Sequence, residues 1–387
     1  MTDRAASSLD DFALTKLAAL EAQDLRRRLK PTHRLDGLWA MRNGRRMLSF
    51  SCNDYLNLSH HPKVREAAKV AIDLYGAGSG ASRLITGDFP LLEQLEQRLV
   101  RLKGTEACCL FGSGYLANAG VISALVGPGD IIFLDALSHS SMWTGARLSG
   151  AKIVAFAHND MADLARLIAE HRAGAERALV ASEGVFSMDG DLAPQDLLSK
   201  LCLANDAWLY IDDAHGVGVL GEGRGAKALF PSAVVPLQMG TLSKALGSYG
   251  AYVCASHPAI DFLKTRVRTL IYSTAPPPSA IAAALAALDV IEQEPERCAR
   301  PVAKARLFTR ALNLPDAESA VVPVIIGEAA PTLAASARLE DEGFLVVPIR
   351  PPTVPAGAAR LRVAFTADHP DAEIERLADA MRPLIPA

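Results

Sequence analysis

The chain has 387 residues, half of them hydrophobic and 21% charged, enough for two domains sharing a large core and unlike a disordered tail. A formal net charge of -3 with no long basic run argues against nucleic acid as a partner. The six scattered cysteines lack C-x-x-C spacing, so neither a zinc site nor a disulfide framework is expected, and that usage fits a reducing cytoplasm. The N-terminal Met1-Thr2-Asp3-Arg4 lacks an apolar signal core, and no apolar stretch reaches membrane-spanning length.

Taken in order, Ser8-Leu9-Asp10-Asp11 resembles a capping box and predicts a helix that follows it and stops before Pro31. Leu17, Leu20 and Leu25 would share one face of it, and Arg26-Arg27-Arg28 would lie on a solvated helical face. Asn43-Gly44 between two apolar runs predicts a two-residue hairpin. Helices are expected over 62–75 and 90–103, with the glycine-rich loop Gly76-Ala77-Gly78-Ser79-Gly80 between them. Short apolar strands then alternate with helices: strands at 108–111, 131–134, 152–155, 178–182, 208–211 and 237–240, helices at 161–171 and 194–204. Continuous apolar strands in strand-helix alternation predict an α/β fold with a large, mostly parallel sheet covered by helices on both sides. After Pro276-Pro277-Pro278 come a long helix at 279–293 and a smaller C-terminal α+β unit. That unit should hold strands at 321–326, near 345–348 and at 360–364, a helix near 333–341 and a last helix from Asp371. The expected division is an N-terminal helix and hairpin segment (1–50), a large domain (51–285) and a small C-terminal domain (286–387).

The stretch around which the rest is arranged is Gly240-Thr241-Leu242-Ser243-Lys244-Ala245-Leu246-Gly247-Ser248, between two apolar runs. A lysine held in a partly apolar cleft has a lowered pKa, and only its neutral amine attacks a carbonyl. Ligands of such sheets sit at the carboxyl ends of the strands, where the polar residues can be read off. Strand 108–111 runs into Gly112-Ser113-Gly114-Tyr115, opening a helix whose free amides suit phosphate. Further strand ends carry Ser138-His139, Glu183 to Asp191 with Ser187 among them, and Asp212-Asp213-Ala214-His215-Gly216. One cofactor uses all these types at once. Pyridoxal phosphate needs a lysine, a carboxylate for its pyridine nitrogen, a flat partner for its ring, and hydroxyls and amides for its phosphate. Lys244, Asp212, His139, Thr241 and the Gly114 turn fill those roles. Singly, each residue leaves a blander role open: Asp212 as a turn cap, His139 as a packed helix-start histidine.

The motifs Ser51-Cys52-Asn53-Asp54-Tyr55-Leu56, Glu183-Gly184-Val185-Phe186-Ser187-Met188-Asp189-Gly190-Asp191, Asp212-Asp213-Ala214-His215-Gly216 and Thr241-Leu242-Ser243-Lys244 resemble those of the α-oxoamine synthases, fold-type-I pyridoxal-phosphate transferases. The resemblance runs from Arg26 to the end. It implies that Lys244 carries the cofactor and moves the substrate's α-proton, that Asp212 pairs with the pyridine nitrogen, that His215 bonds the ring's phenolic oxygen and that His139 stacks on the ring. It further implies that Gly114, Tyr115, Ser187 and Thr241 hold the cofactor and its phosphate. Arg26, Thr353, Arg362 and again His139 would meet the substrate. Ile349-Arg350-Pro351-Pro352-Thr353-Val354-Pro355 and Arg360-Leu361-Arg362 resemble most the branch that condenses L-alanine with a pimeloyl thioester of coenzyme A or of an acyl carrier protein. A homodimer is implied, with Ser273-Thr274 reaching the partner's phosphate site. Another branch, with a different amino acid or acyl donor, is the competing reading; a silent subunit is disfavoured by Lys244 itself. Two positions depart from the family pattern: Asn57, where glycine is frequent, and Ser82-Arg83-Leu84 in the glycine loop.

Overall fold

In the computed structural model, which describes residues 2–385, the six apolar segments expected as strands all join one seven-stranded sheet. Its order is Ala107–Phe111, Ala251–Ala255, Leu237–Thr241, Trp208–Asp212, Ala178–Glu183, Ile131–Asp135, Lys152–Phe156. All neighbours pair in parallel except Ala251–Ala255, which is antiparallel to both of its neighbours. The chain between Thr241 and Ala251 is too short for a parallel crossover, which needs a dozen or more residues, so it must turn straight back. Lys244 lies in that turn. Successive side chains of a strand serve opposite faces. Cys108, Leu110, Tyr252 and Cys254 pack with Leu92, Ile281 and Ala284 on one face. Cys109, Phe111, Ala251 and Val253 pack with Ala117, Met142 and Ile260 on the other.

Two smaller sheets lie beyond. Val321–Gly327, Ala359–Ala364 and Val347–Ile349 form an antiparallel three-stranded sheet. The hairpin Trp39–Arg42/Arg45–Ser49 turns at Asn43-Gly44 as expected, both residues at positive φ. Its second strand pairs in parallel with Phe344–Leu345, so Leu48 and Phe50 share a core with Phe308, Phe344 and Phe365.

Three features depart from the sequence reading. The first helix, Thr2–Glu21, runs straight through Ser8 to Asp11, because the preceding residues hold neither glycine nor proline to stop it. It ends well before Pro31: Asp24 turns into the left-handed region (φ 55), and the Leu25 and Arg26 amides close onto the Leu20 carbonyl. Arg26, Arg27 and Arg28 therefore leave in non-helical backbone, not on a helix face. The third is the helix Pro295–Ala311, which the sequence reading did not anticipate. Its entry proline was the available signal, while Pro301 in its interior speaks against a helix.

Among the described residues all six cysteines are free thiols, and Cys108, Cys109, Cys202, Cys254 and Cys298 are buried. No helix of the described residues is long and apolar enough to cross a membrane.

Candidate active site

The lysine turn brings a basic group into a buried polar setting. Lys244 Nζ lies 2.8 Å from His215 Nε2. The Tyr55 hydroxyl lies 2.6 Å from His215 Nδ1 and 3.2 Å from Asn53 Oδ1. Burial, with the Lys244 and Arg362 charges, holds the His215 pKa well below the ordinary histidine range, so the ring is neutral. Burial also pulls the Lys244 amine down to about 8, although Asp212 and Glu183 oppose the shift. About a tenth of such an amine is neutral at pH 7, roughly 300-fold more than for an ordinary lysine. The rate at which the protein captures an aldehyde cofactor should therefore climb with pH and level off just above 8. A stopped-flow absorbance series from pH 6 to 10.5 checks this; a rate still climbing tenfold per unit at pH 10 would place Lys244 in water.

Asp212 ends its strand 4% exposed. Its Oδ1 accepts from the Ala214 amide at 3.0 Å and its Oδ2 from Asn118 Nδ2 at 2.7 Å. The neighbouring Asp213 faces elsewhere. It pairs with buried Lys103 at 3.1 Å and accepts from the Ala226 amide. A side chain at Gly225 (φ 101) would put its Cβ 1.8 Å from Asp213 Oδ2, so only glycine lets the loop close over this pair. The two adjacent aspartates thus face different surroundings, Asp212 toward Asn118 and Asp213 toward Lys103.

Arg362, 7% exposed, spreads its fork over the Ser187 carbonyl (2.6 Å), Asn53 Oδ1 (3.0 Å) and the Tyr55 hydroxyl (3.4 Å). Lys244, His215, Arg362, Asn53, His139 and Ser187 line one cavity of about 300 Å³. His139 and Ser187 also line a second cavity of about 750 Å³, together with Trp143, Arg27 and Thr353. Arg27 and Thr353 in turn line a third of about 640 Å³, where Arg26 lies. The three spaces share lining residues and lie in a row from Lys244 to the N-terminal arginines.

The remaining expected residues are placed as follows. Gly114 opens the helix Gly114–Leu125 behind the Ser113 cap, so the first-turn amides have no intrahelical partner. Tyr115 is 48% exposed and bonds Thr144. The Thr241 hydroxyl donates to the Gly250 carbonyl and meets the Ser243 hydroxyl at 2.8 Å. Arg26 pairs with Glu21 at 3.2 Å, whereas Arg27 donates to Thr353 Oγ1 at 2.7 Å. Arg83 is held by Glu96 and Asp88. Asn57 sits in the left-handed region (φ 54), the conformation that explains why glycine is frequent there in the family. Glu183 closes the strand Ala178–Glu183. It is 2% exposed, its Oε1 has no partner, and burial with the Asp212 charge raises its pKa well above the carboxylate range.

A family model described as aminotransferase class I and II matches residues 45–381. The chain belongs to that family. As an aminotransferase-family chain it is 58% identical, over 97% of its own length and 96% of the other's, to an 8-amino-7-oxononanoate synthase of Methylobacterium sp. strain 4-46. Among solved structures it superposes on a variant serine palmitoyltransferase from S. paucimobilis with bound PLP–myriocin. That match has a TM-score of 0.91 and 28% identity over 97% of each chain. The 8-amino-7-oxononanoate synthase of Francisella tularensis aligns at a TM-score of 0.74 and 27% identity, over 87% of this chain and 97% of that one. The fold-type-I architecture and the resemblance to the α-oxoamine synthases stand confirmed.

The residues present fit the family's cofactor, pyridoxal phosphate. A half-buried amine at about 8, a buried aspartate whose charge reaches that amine, an imidazole on the cavity wall and a capped helix N-terminus are the donor set the cofactor needs. Among the described residues no cluster of His, Cys, Asp or Glu could hold a metal ion.

Proposed function

We propose that this chain condenses L-alanine with a pimeloyl thioester, releasing 8-amino-7-oxononanoate, carbon dioxide and the free thiol, in biotin biosynthesis. The observation that carries the chemistry is the meeting of the Lys244 amine and the Arg362 fork in one cavity of about 300 Å³. The relatives' names supply the substrates.

Pyridoxal phosphate bound there supplies the electron sink for negative charge at the amino acid's α-carbon. Lys244 holds the cofactor and, once displaced, takes the proton from alanine Cα. Asp212 holds a proton at the pyridine nitrogen, and His215 donates to the ring's phenolic oxygen. Gly114, Tyr115, Ser187 and Thr241 bind the cofactor, the helix N-terminus meeting its phosphate. Arg362 and Asn53 hold the amino acid's carboxylate, a fork-to-carboxylate match. Thr353, on the proline-stiffened segment, faces the second cavity, which takes the acyl chain. His139 stands where the two cavities meet and orients the reacting groups. We assign the large unit, 51–285, to the cofactor and the small unit, 286–387, together with the N-terminal segment, 1–50, to substrate.

The far carboxylate of a pimeloyl group cannot be left unpaired in that path without cost. Arg26 is its candidate partner, and Arg27 at the neck is the alternative. Purified protein should prefer the pimeloyl thioester over an uncharged acyl thioester of equal length, by about tenfold or more in kcat/KM. Arg26→Ala should erase that preference. A preference that survives Arg26→Ala and falls in Arg27→Ala moves the role one residue along. Wild-type preference for long uncharged chains would instead support the serine palmitoyltransferase likeness.

The working unit is a cytoplasmic homodimer. Leu9, Phe12 and Leu14 on the first helix, and Leu84, Ile85 and Tyr272 beside Ser273-Thr274, are exposed apolar side chains suited to a second copy. Mixing inactive Lys244→Ala chains with inactive Ser273→Ala/Thr274→Ala chains should restore about a quarter of wild-type activity if sites are shared across a two-fold dimer. No recovery after subunit exchange would confine each site to one chain.

A further inference from the structure

Behind the His139 ring, among residues with no role in the scheme above, runs a buried chain of hydrogen bonds. Tyr210, Asn118 and Ser141 are 0%, 1% and 1% exposed and come from three different elements. The Tyr210 hydroxyl donates to Asn118 Oδ1 at 2.7 Å. Asn118 Nδ2 donates one proton to Asp212 Oδ2 at 2.7 Å and the other to Ser141 Oγ at 2.9 Å. Ser141 Oγ lies 2.7 Å from His139 Nδ1, and the Ser141 amide donates to the same nitrogen at 3.3 Å.

These bonds allow one arrangement of protons. A carboxylate only accepts, so the amide nitrogen of Asn118 must face Asp212 and its oxygen must face Tyr210. With both amide protons committed to acceptors, Ser141 Oγ receives one and keeps its own hydroxyl proton. The partner within reach of that proton is His139 Nδ1. Two donors, a hydroxyl and a backbone amide, then converge on Nδ1, which must be bare. The ring proton is left on Nε2, which has no hydrogen-bond partner among the described residues.

We propose that Asn118 is a positioning residue that locks His139 as the neutral tautomer with its proton on Nε2, free to donate to an oxygen of the bound substrate. The inference rests on the reading of His139 and Asp212 given above. One side chain thereby ties the carboxylate that serves the cofactor's nitrogen to the imidazole on the cavity wall. Desolvation, which lowers the His139 pKa, and the high pKa of buried Tyr210, which keeps that hydroxyl a donor, act in the same direction.

The test is the tautomer itself, read in full-length protein carrying ¹³C,¹⁵N-histidine, with and without pyridoxal phosphate and without substrate. Long-range ¹H–¹⁵N correlations at pH 7.5 report which nitrogen is protonated, and His139→Gln identifies the signal. Wild type should show the Nε2–H form in about tenfold excess or more, the scale set by one good hydrogen bond. Ser141→Ala deletes a single hydroxyl and should bring the two tautomers toward parity. Asn118→Leu should do the same by freeing the serine proton. A wild-type signal from the Nδ1–H form or the imidazolium overturns the proposal, as does an excess unchanged in either variant. If Asn118→Leu does not fold, Ser141→Ala alone decides. Because no turnover is involved, a failure of the assigned reaction would appear separately, in the product assay.

Discussion

Lys244→Ala is expected to lower product formation by at least about 10³-fold, since under the proposed assignment it removes at once the amine that holds the cofactor and the base that takes the α-proton. The variant should fold normally, because the Lys244 amine bonds only His215 among the described residues, and the turn closes through backbone bonds such as Gly247 N–H to the Lys244 carbonyl. It should still bind pyridoxal phosphate through the remaining contacts, but dialysis should strip it, and borohydride should no longer fix cofactor to the protein. In wild type the same treatment should label the peptide containing Lys244. Turnover within threefold of wild type in Lys244→Ala would end the assignment. Adding methylamine gives a finer check: partial rescue would show that the missing function is the amine and not the fold.

Asp212→Asn should cost about 10²–10³-fold in kcat, the range for removing one preorganised electrostatic partner of developing charge. The substitution keeps the shape and the Ala214 contact while removing the charge proposed to hold a proton at the pyridine nitrogen. Binding of alanine should change little, because Arg362 and Asn53 are untouched, so the loss should fall on kcat and not on KM. Asp213→Asn is the informative contrast. It should leave the buried Lys103 ammonium without its counter-charge, a loss of about 3–5 kcal/mol for a broken buried pair. It should appear as a lowered melting temperature with a smaller kinetic effect. Wild-type kcat in Asp212→Asn beside a collapse in Asp213→Asn with intact stability would mean that the two roles are reversed.

Much of this was legible before any coordinates. The strand segments were continuous apolar runs bounded by glycine and polar residues, and the site residues stood where those runs ended. Position in the sequence therefore told position at the sheet's edge. What stayed hidden depends on distant parts of the chain meeting. Asn118 lies mid-helix among alanines and a glycine, and nothing local marks it; only the packing of its helix against strand Trp208–Asp212 and helix Ser140–Ser149 gives it partners. Arg26 and Arg28 both pair with Glu21, whereas Arg27 bonds Thr353, more than three hundred residues away. The return strand Ala251–Ala255 had a readable apolar pattern, but its direction came from the length of a connection, not from composition.

The burial of the cysteines bears on what the enzyme leaves behind. Each turnover frees a thiol, and a thiol pool beside protein sulfurs is a standing invitation to oxidative cross-linking. Burial pushes Cys109 and Cys202 up to about 12 and Cys298 up to about 11, and raises Cys52 as well. Exchange requires a thiolate and an open approach, and buried Cys109, Cys202 and Cys298 lack both, while half-buried Cys52 lacks the thiolate. The chain should therefore work in its own by-product without reductant, a chemical self-tolerance that follows from where its buried sulfur atoms were put.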